Sequence, residues 1–104
     1  MLNVATDATD VKAYVARSAD SIVKSRKSDP NIVSVERRPD VTINGVLFAH
    51  VEWETSQTWD SEYLTVSRDG TSQVDVVWQF GKGDVDRKGV QELIDPVMET
   101  FELL

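Results

Sequence analysis

The chain has no cysteine among its 104 residues, so disulfide scaffolds, thiolate catalysis and most structural zinc sites are excluded. It has a single histidine, His50, which leaves little material for general acid–base or metal chemistry. No apolar run approaches the roughly 20 residues that a membrane-spanning helix requires. The opening residues, Met1 to Asp7, have neither a basic segment nor an apolar one, so no signal peptide is expected in them. The spacing GxxxxGK[ST] of a phosphate loop is missing around Gly81-Lys82-Gly83, and no GxSxG elbow occurs.

Basic residues are scarce in the middle of the chain. Residues 39–80 contain one, Arg68, against seven acids, and this segment supplies most of the net charge of −7. Such a field repels polyanions, which argues against nucleic acid as a partner. The only basic cluster, Lys24, Arg26, Lys27, Arg37 and Arg38, reads as cations at a helix C-terminus followed by a solvated strand end. A hydrophobic content of 40% is too high for a disordered chain, and the length suits one domain over residues 1–104.

Periodicity then places the elements. Val11, Tyr14, Val15, Ser18, Ala19, Ile22 and Val23 recur at helical spacing up to Lys27. Asp7, Thr9 or Asp10 can cap this helix, and Ser28-Asp29-Pro30 ends it. A short alternating strand follows over Ile32–Arg37, and Pro39 interrupts it at an edge or a bend. Val41–Ile43 and the strand from Val46 to Glu54 flank Asn44-Gly45, a strong hairpin signal that pairs Ile43 with Val46 and Val41 with Phe48. The strand after the turn is apolar on both faces, with Leu47, Ala49, Val51 and Trp53 on one and Val46, Phe48 and His50 on the other, as a central strand would be. A second hairpin joins Asp60–Arg68 to Ser72–Phe80. Matching Leu64 and Val66 to the apolar residues Val74, Val76, Trp78 and Phe80 predicts a three-residue loop, Arg68-Asp69-Gly70, with Leu64 opposite Val74 and Glu62 opposite Val76.

Val90, Leu93, Ile94, Val97, Met98 and Phe101 mark a final helix starting at Asp84 or Asp86. Pro96 predicts a kink or a fresh start capped by Asp95, and Phe101–Leu104 can form a short last strand. The expected fold is α+β: an antiparallel sheet of four to six strands with an N-terminal and a C-terminal helix packed on it.

Chemistry is sparse in this pattern. His50, Glu52 and Glu54 share a strand face, but Glu54 stands about 13 Å from His50 along a strand, too far to share one ion. Asp84, Asp86 and Gly89 imitate a calcium loop, yet Lys88 stands where an oxygen ligand belongs. No catalytic, metal or cofactor set emerges, and an enzyme is not expected. Trp53 and Trp78 fall on core parities. Trp59 lies in a polar stretch between two strands, where it either covers a core edge or anchors a partner. With His50, Glu52, Tyr63, Asp75 and Gln79 it forms the candidate partner-binding surface, a polar and acidic sheet face.

The order of elements, with "ING" at 43–45, Ala49, "RDG" at 68–70 and Thr100-Phe101, resembles the bacterial DcrB-type and LpqN-type envelope proteins, which share the PsbP-like fold. That resemblance implies a non-catalytic binding or assembly module of the bacterial cell envelope, with another protein as partner. It also implies a leader and a lipid-anchoring cysteine removed from ahead of the present start, and an N-terminus shortened relative to the family. The alternative is a small cytoplasmic adaptor, chaperone or immunity protein for a secreted effector, whose acidic surface would suit a basic partner.

Overall fold

A computed structural model describes residues 8–102 of the chain. The elements run α1 (Ala8–Lys27), β1 (Ile32–Ile43), β2 (Val46–Thr55), β3 (Thr58–Val66), β4 (Gln73–Gly81) and α2 (Arg87–Met98). The strands form one antiparallel sheet in the order β1-β2-β3-β4. This is an α+β fold. Among the described residues no helix is long and apolar enough to cross a membrane.

Successive side chains of a strand point to opposite faces, and each face of this sheet has its own helix. Val15 and Ala19 of α1 pack on Ala49, Val51, Trp53, Leu64 and Val66. Val90, Ile94 and Met98 of α2 pack on Phe48 and Tyr63, with Val76, Trp78 and Phe80 beside them. β2 contributes wholly buried residues to both cores, as its two apolar faces foretold. Helix α1 begins at Ala8, so Thr9 and Asp10 lie inside it rather than capping it, and Asp7 is outside the described residues.

The first hairpin forms as expected. Asn44 and Gly45 both take positive φ, 51° and 78°, and Ile43 meets Val46 while Val41 meets Phe48. Pro39 does not divide the chain into two strands. β1 is continuous and carries a one-residue bulge between Arg38 and Val41. The extra residue switches parity, so Arg38, Val41 and Ile43 all face α2. Arg37 fastens the bulge: its guanidinium donates to the Arg38 carbonyl at 2.6 Å and to Asp40 Oδ1 at 2.7 Å.

The second hairpin departs from expectation. Leu64 pairs with Asp75 and Glu62 with Val77, not with Val74 and Val76. The Ser67 N–H donates to the Ser72 carbonyl at 2.8 Å, so four residues, Arg68 to Thr71, form the loop. Matching apolar residues across the hairpin assumed one buried face. Here both faces are buried, and Leu64 and Val66 belong to the α1 core while Val76, Trp78 and Phe80 belong to the α2 core.

Helix α2 starts after Asp86, whose side chain accepts from the Gly89 N–H at 2.8 Å. Pro96 sits inside its last turn without a fresh start. Its buried stripe is Val90, Ile94 and Met98; Leu93 and Val97, predicted to lie on it, are each 52% exposed. Phe101 and Glu102 lie outside any strand, and Leu103 and Leu104 are outside the described residues. Phe101 packs edge-on against Phe48, ring centroids 5.1 Å apart, and the Asn44 amide donates to the Glu99 and Phe101 carbonyls at 2.9 Å each. The first turn of the sheet thus ties down the end of α2.

Candidate functional site

α2 has 12 residues and α1 has 20, and α2 leaves part of its sheet face uncovered. The opening is a cleft of about 460 Å³ between the β1 bulge and α2. Arg38, Asp40, Asp95 and Glu99 line it with charge, Val41, Ile43 and Met98 line it with apolar surface, and His50, Tyr63 and Gln91 also border it.

His50 and Tyr63 are cross-strand partners on β2 and β3, and their rings stack at 4.1 Å with an 11° angle between planes. His50 Nε2 and Ser61 Oγ are hydrogen-bonded at 2.7 Å. Gln91 Nε2 donates to the Tyr63 hydroxyl at 3.0 Å and to Asp95 Oδ1, which holds the network to α2. Burial, with the nearby Arg38 and Arg37 charges adding to it, lowers the His50 pKa to about 4 against the opposing pull of Asp95. The imidazole is therefore neutral at neutral pH. Burial also raises the Tyr63 pKa.

A neutral imidazole against a serine hydroxyl is the geometry of an activated nucleophile. Ser61, however, is 0% exposed, beneath the cleft rather than among its lining residues. The hydrogen bond satisfies both buried side chains. Among the described residues no three His, Asp or Glu side chains gather as a metal-ligand set.

The six residues of the expected binding surface do not share a face. His50 and Tyr63 are buried under the cleft, 5% and 2% exposed. Glu52 is on the same face, held by Arg38 at 3.4 Å and Arg87 at 3.6 Å. Asp75 and Gln79 are exposed on the α1 side of β4, because the register of that hairpin differs from the predicted one. Ser61 and Thr65, on the same side of β3 as Tyr63, are buried. Trp59 is an internal anchor. Its indole N–H donates to the Val85 carbonyl at 3.0 Å, and Lys82 and Arg87 stand over its ring at 4.4 and 4.8 Å. It fastens the linker between β4 and α2.

Sequence reasoning missed Arg38, Gln91 and Asp95 as cleft residues. The signal for the last two was their i, i+4 spacing on α2, next to the buried stripe. It also missed a second polar burial, on the α1 face. Glu62 is 4% exposed, and burial together with the adjacent Asp75 carboxyl raises its pKa to about 7, opposed by Arg26 at 3.9 Å. Glu62 shares the strand parity of Leu64 and Val66, which marked it as inward-facing.

Comparison with known protein families, curated proteins and solved structures finds no match to this chain.

Proposed function

We propose that the chain is a non-catalytic binding module that recognises a segment of another protein in the cleft between the β1 bulge and α2. The observation that carries this reading is the composition of the cleft. An apolar base of Val41, Ile43 and Met98 lies beside carboxylates at the rim, Asp95 in the last turn of α2 and Glu99 at its C-cap. Such a site suits a polypeptide segment that presents a basic side chain next to an apolar one. The net charge of −7 favours the same partner through steering. The buried Ser61–His50 pair supports a binding rather than a catalytic role.

The resemblance to DcrB-type and LpqN-type proteins supports a place for this module in the bacterial cell envelope. The acidic surface would equally serve a cytoplasmic adaptor, chaperone or immunity protein meeting a basic effector. Fractionation of the native host separates the two compartments.

The test of the cleft is an NMR titration with short peptides pairing Arg or Lys with Leu or Phe, and with Glu-substituted versions as controls. The basic peptides are expected to shift the resonances of Arg38, Val41, Asp95 and Met98, and to lose affinity as salt rises. Asp95→Lys with Glu99→Lys is expected to abolish the shifts. Equal binding of the Glu-substituted peptides, or shifts away from the cleft, would refute the reading.

A further inference from the structure

The two edges of the sheet are unlike. β1 carries Pro39, two one-residue register shifts and the charged pair Arg37 and Arg38, all devices that discourage pairing with another strand. β4 has nine residues, no proline, no lysine or arginine, and an unbroken register with β3. Among the described residues no strand lies on its outer side. In an antiparallel ladder each residue turns both backbone groups to the same neighbour, and consecutive residues alternate. The Ser72 carbonyl accepts from Ser67, and the Lys82 N–H donates to the Gln57 carbonyl, so even-numbered residues here face β3. The backbone groups of Gln73, Asp75, Val77 and Gln79 therefore point outward, as does the Gly81 N–H, while the Gly81 carbonyl accepts from the Asp84 N–H at 3.0 Å.

We propose that this edge is a homodimerisation site, at which a second copy of the chain pairs its own β4 antiparallel across a two-fold axis through Val77. Val77 is the midpoint of Gln73–Gly81, so this register alone uses the whole strand of both copies. It sets the outward backbone groups of Asp75 and Val77 against those of Gln79 and Val77 in the second copy, and the Gln73 carbonyl against the Gly81 N–H. No like charges meet, since Asp75 falls opposite Gln79. On the α2 face Val74 meets Phe80 and Val76 meets Trp78, all half-buried in one copy and covered in two. On the α1 face the two Val77 side chains, each 56% exposed, cover one another. A two-fold axis needs a self-complementary patch, and a nine-residue strand with one acid placed off its centre provides one. The result is a continuous eight-stranded sheet.

Each copy carries a charge of −7, so repulsion opposes the dimer and salt strengthens it. That is the reverse of the salt response expected for the cleft, so the two proposals fail separately. The test is sedimentation velocity of the full chain across the micromolar range at low and high salt, with hydrogen exchange of the same samples. A dimer that tightens with salt is expected, with the Asp75, Val77 and Gln79 amides protected only in the dimer. Val77→Lys sets two cations face to face and is expected to weaken the dimer at least about tenfold with an unchanged CD spectrum. Val77→Pro removes an outward N–H without breaking the ladder to β3, and is expected to give monomers. A monomer under all conditions, a dimer that survives both substitutions, or protection of the Val77 amide in the monomer would overturn the proposal.

Discussion

The two faces of the sheet bury different polar groups: ionisable side chains without hydrogen bonds under α1, and a mostly hydrogen-bonded network under α2. Under α2 the buried polar side chains of β2 and β3 are partnered: His50 with Ser61, Tyr63 with Gln91, and Thr65 with the Leu47 carbonyl. On β4 the Trp78 indole N–H is buried without a partner. Under α1, Asp60 Oδ1, Glu62 Oε1 and Arg26 Nε are buried without a hydrogen-bond partner, although Arg26 stands near Glu62 and lies 4.4 Å over the Trp53 ring. An unpartnered buried polar atom costs stability, while a satisfied one is close to neutral and fixes geometry. The α2 face thus has an ordered polar floor beneath its cleft. On the α1 face the buried Glu62 weakens the fold as it ionises.

Core truncations test whether the two faces are packed alike, and they should show the largest effects. Phe48→Ala, on the α2 face, is expected to cost about 3–5 kcal/mol, and Leu64→Ala, on the α1 face, about 2–5 kcal/mol, in urea unfolding. Both residues are 0% exposed. A cost below about 1 kcal/mol for either would show that its face is loosely packed.

The pH response of the two faces should run in opposite senses. Glu62 has a folded pKa of about 7, above its ordinary value of 4.5. Its contribution is fully present below 4.5 and is lost as pH rises through about 7. Glu62→Gln should therefore be more stable than the parent at pH above 7 and lose that advantage in acid, as read from denaturation curves across the range. His50 is depressed from 6.5 to about 4, so its contribution is present above 6.5 and is lost as pH falls through about 4. Its ring proton resonances should titrate with a midpoint near 4, and a midpoint near 6.5 would mean that the stacked pair with Tyr63 is open to water. The smallest expected effect is at the edge of the cleft. Asn44→Ala removes the two bonds to the end of α2 and strains a position at φ 51°, for about 1 kcal/mol in thermal unfolding.

Much of the fold was legible where the signal was local. Asn44-Gly45 specifies its own hairpin, because few residues tolerate positive φ at both turn positions. Asp86 precedes α2 as a cap, and the stripe on α1 identifies its buried side. The turn at Asp69-Gly70 was located but its register was not. Gly70 has φ 73° as expected, yet Asp69 accepts from Ser67 and from the Thr71 N–H and hydroxyl, and the loop closes one residue later than predicted. Those bonds also hold the exposed Asp69 carboxyl down to about 2.

Alternation, turn residues and caps act over a few neighbouring positions, and the amino-acid sequence by itself determined the two helices, the first hairpin and the central place of β2. It could not say which face each helix would cover. That choice set the β3–β4 register, sent Asp75 and Gln79 to the side away from His50, buried Tyr63, Ser61 and Glu62, and opened the cleft beside α2. The physical reason is that burial belongs to surfaces rather than residues. A polar side chain on a strand becomes floor, strut or solvated face only when a distant segment packs over it or leaves it uncovered.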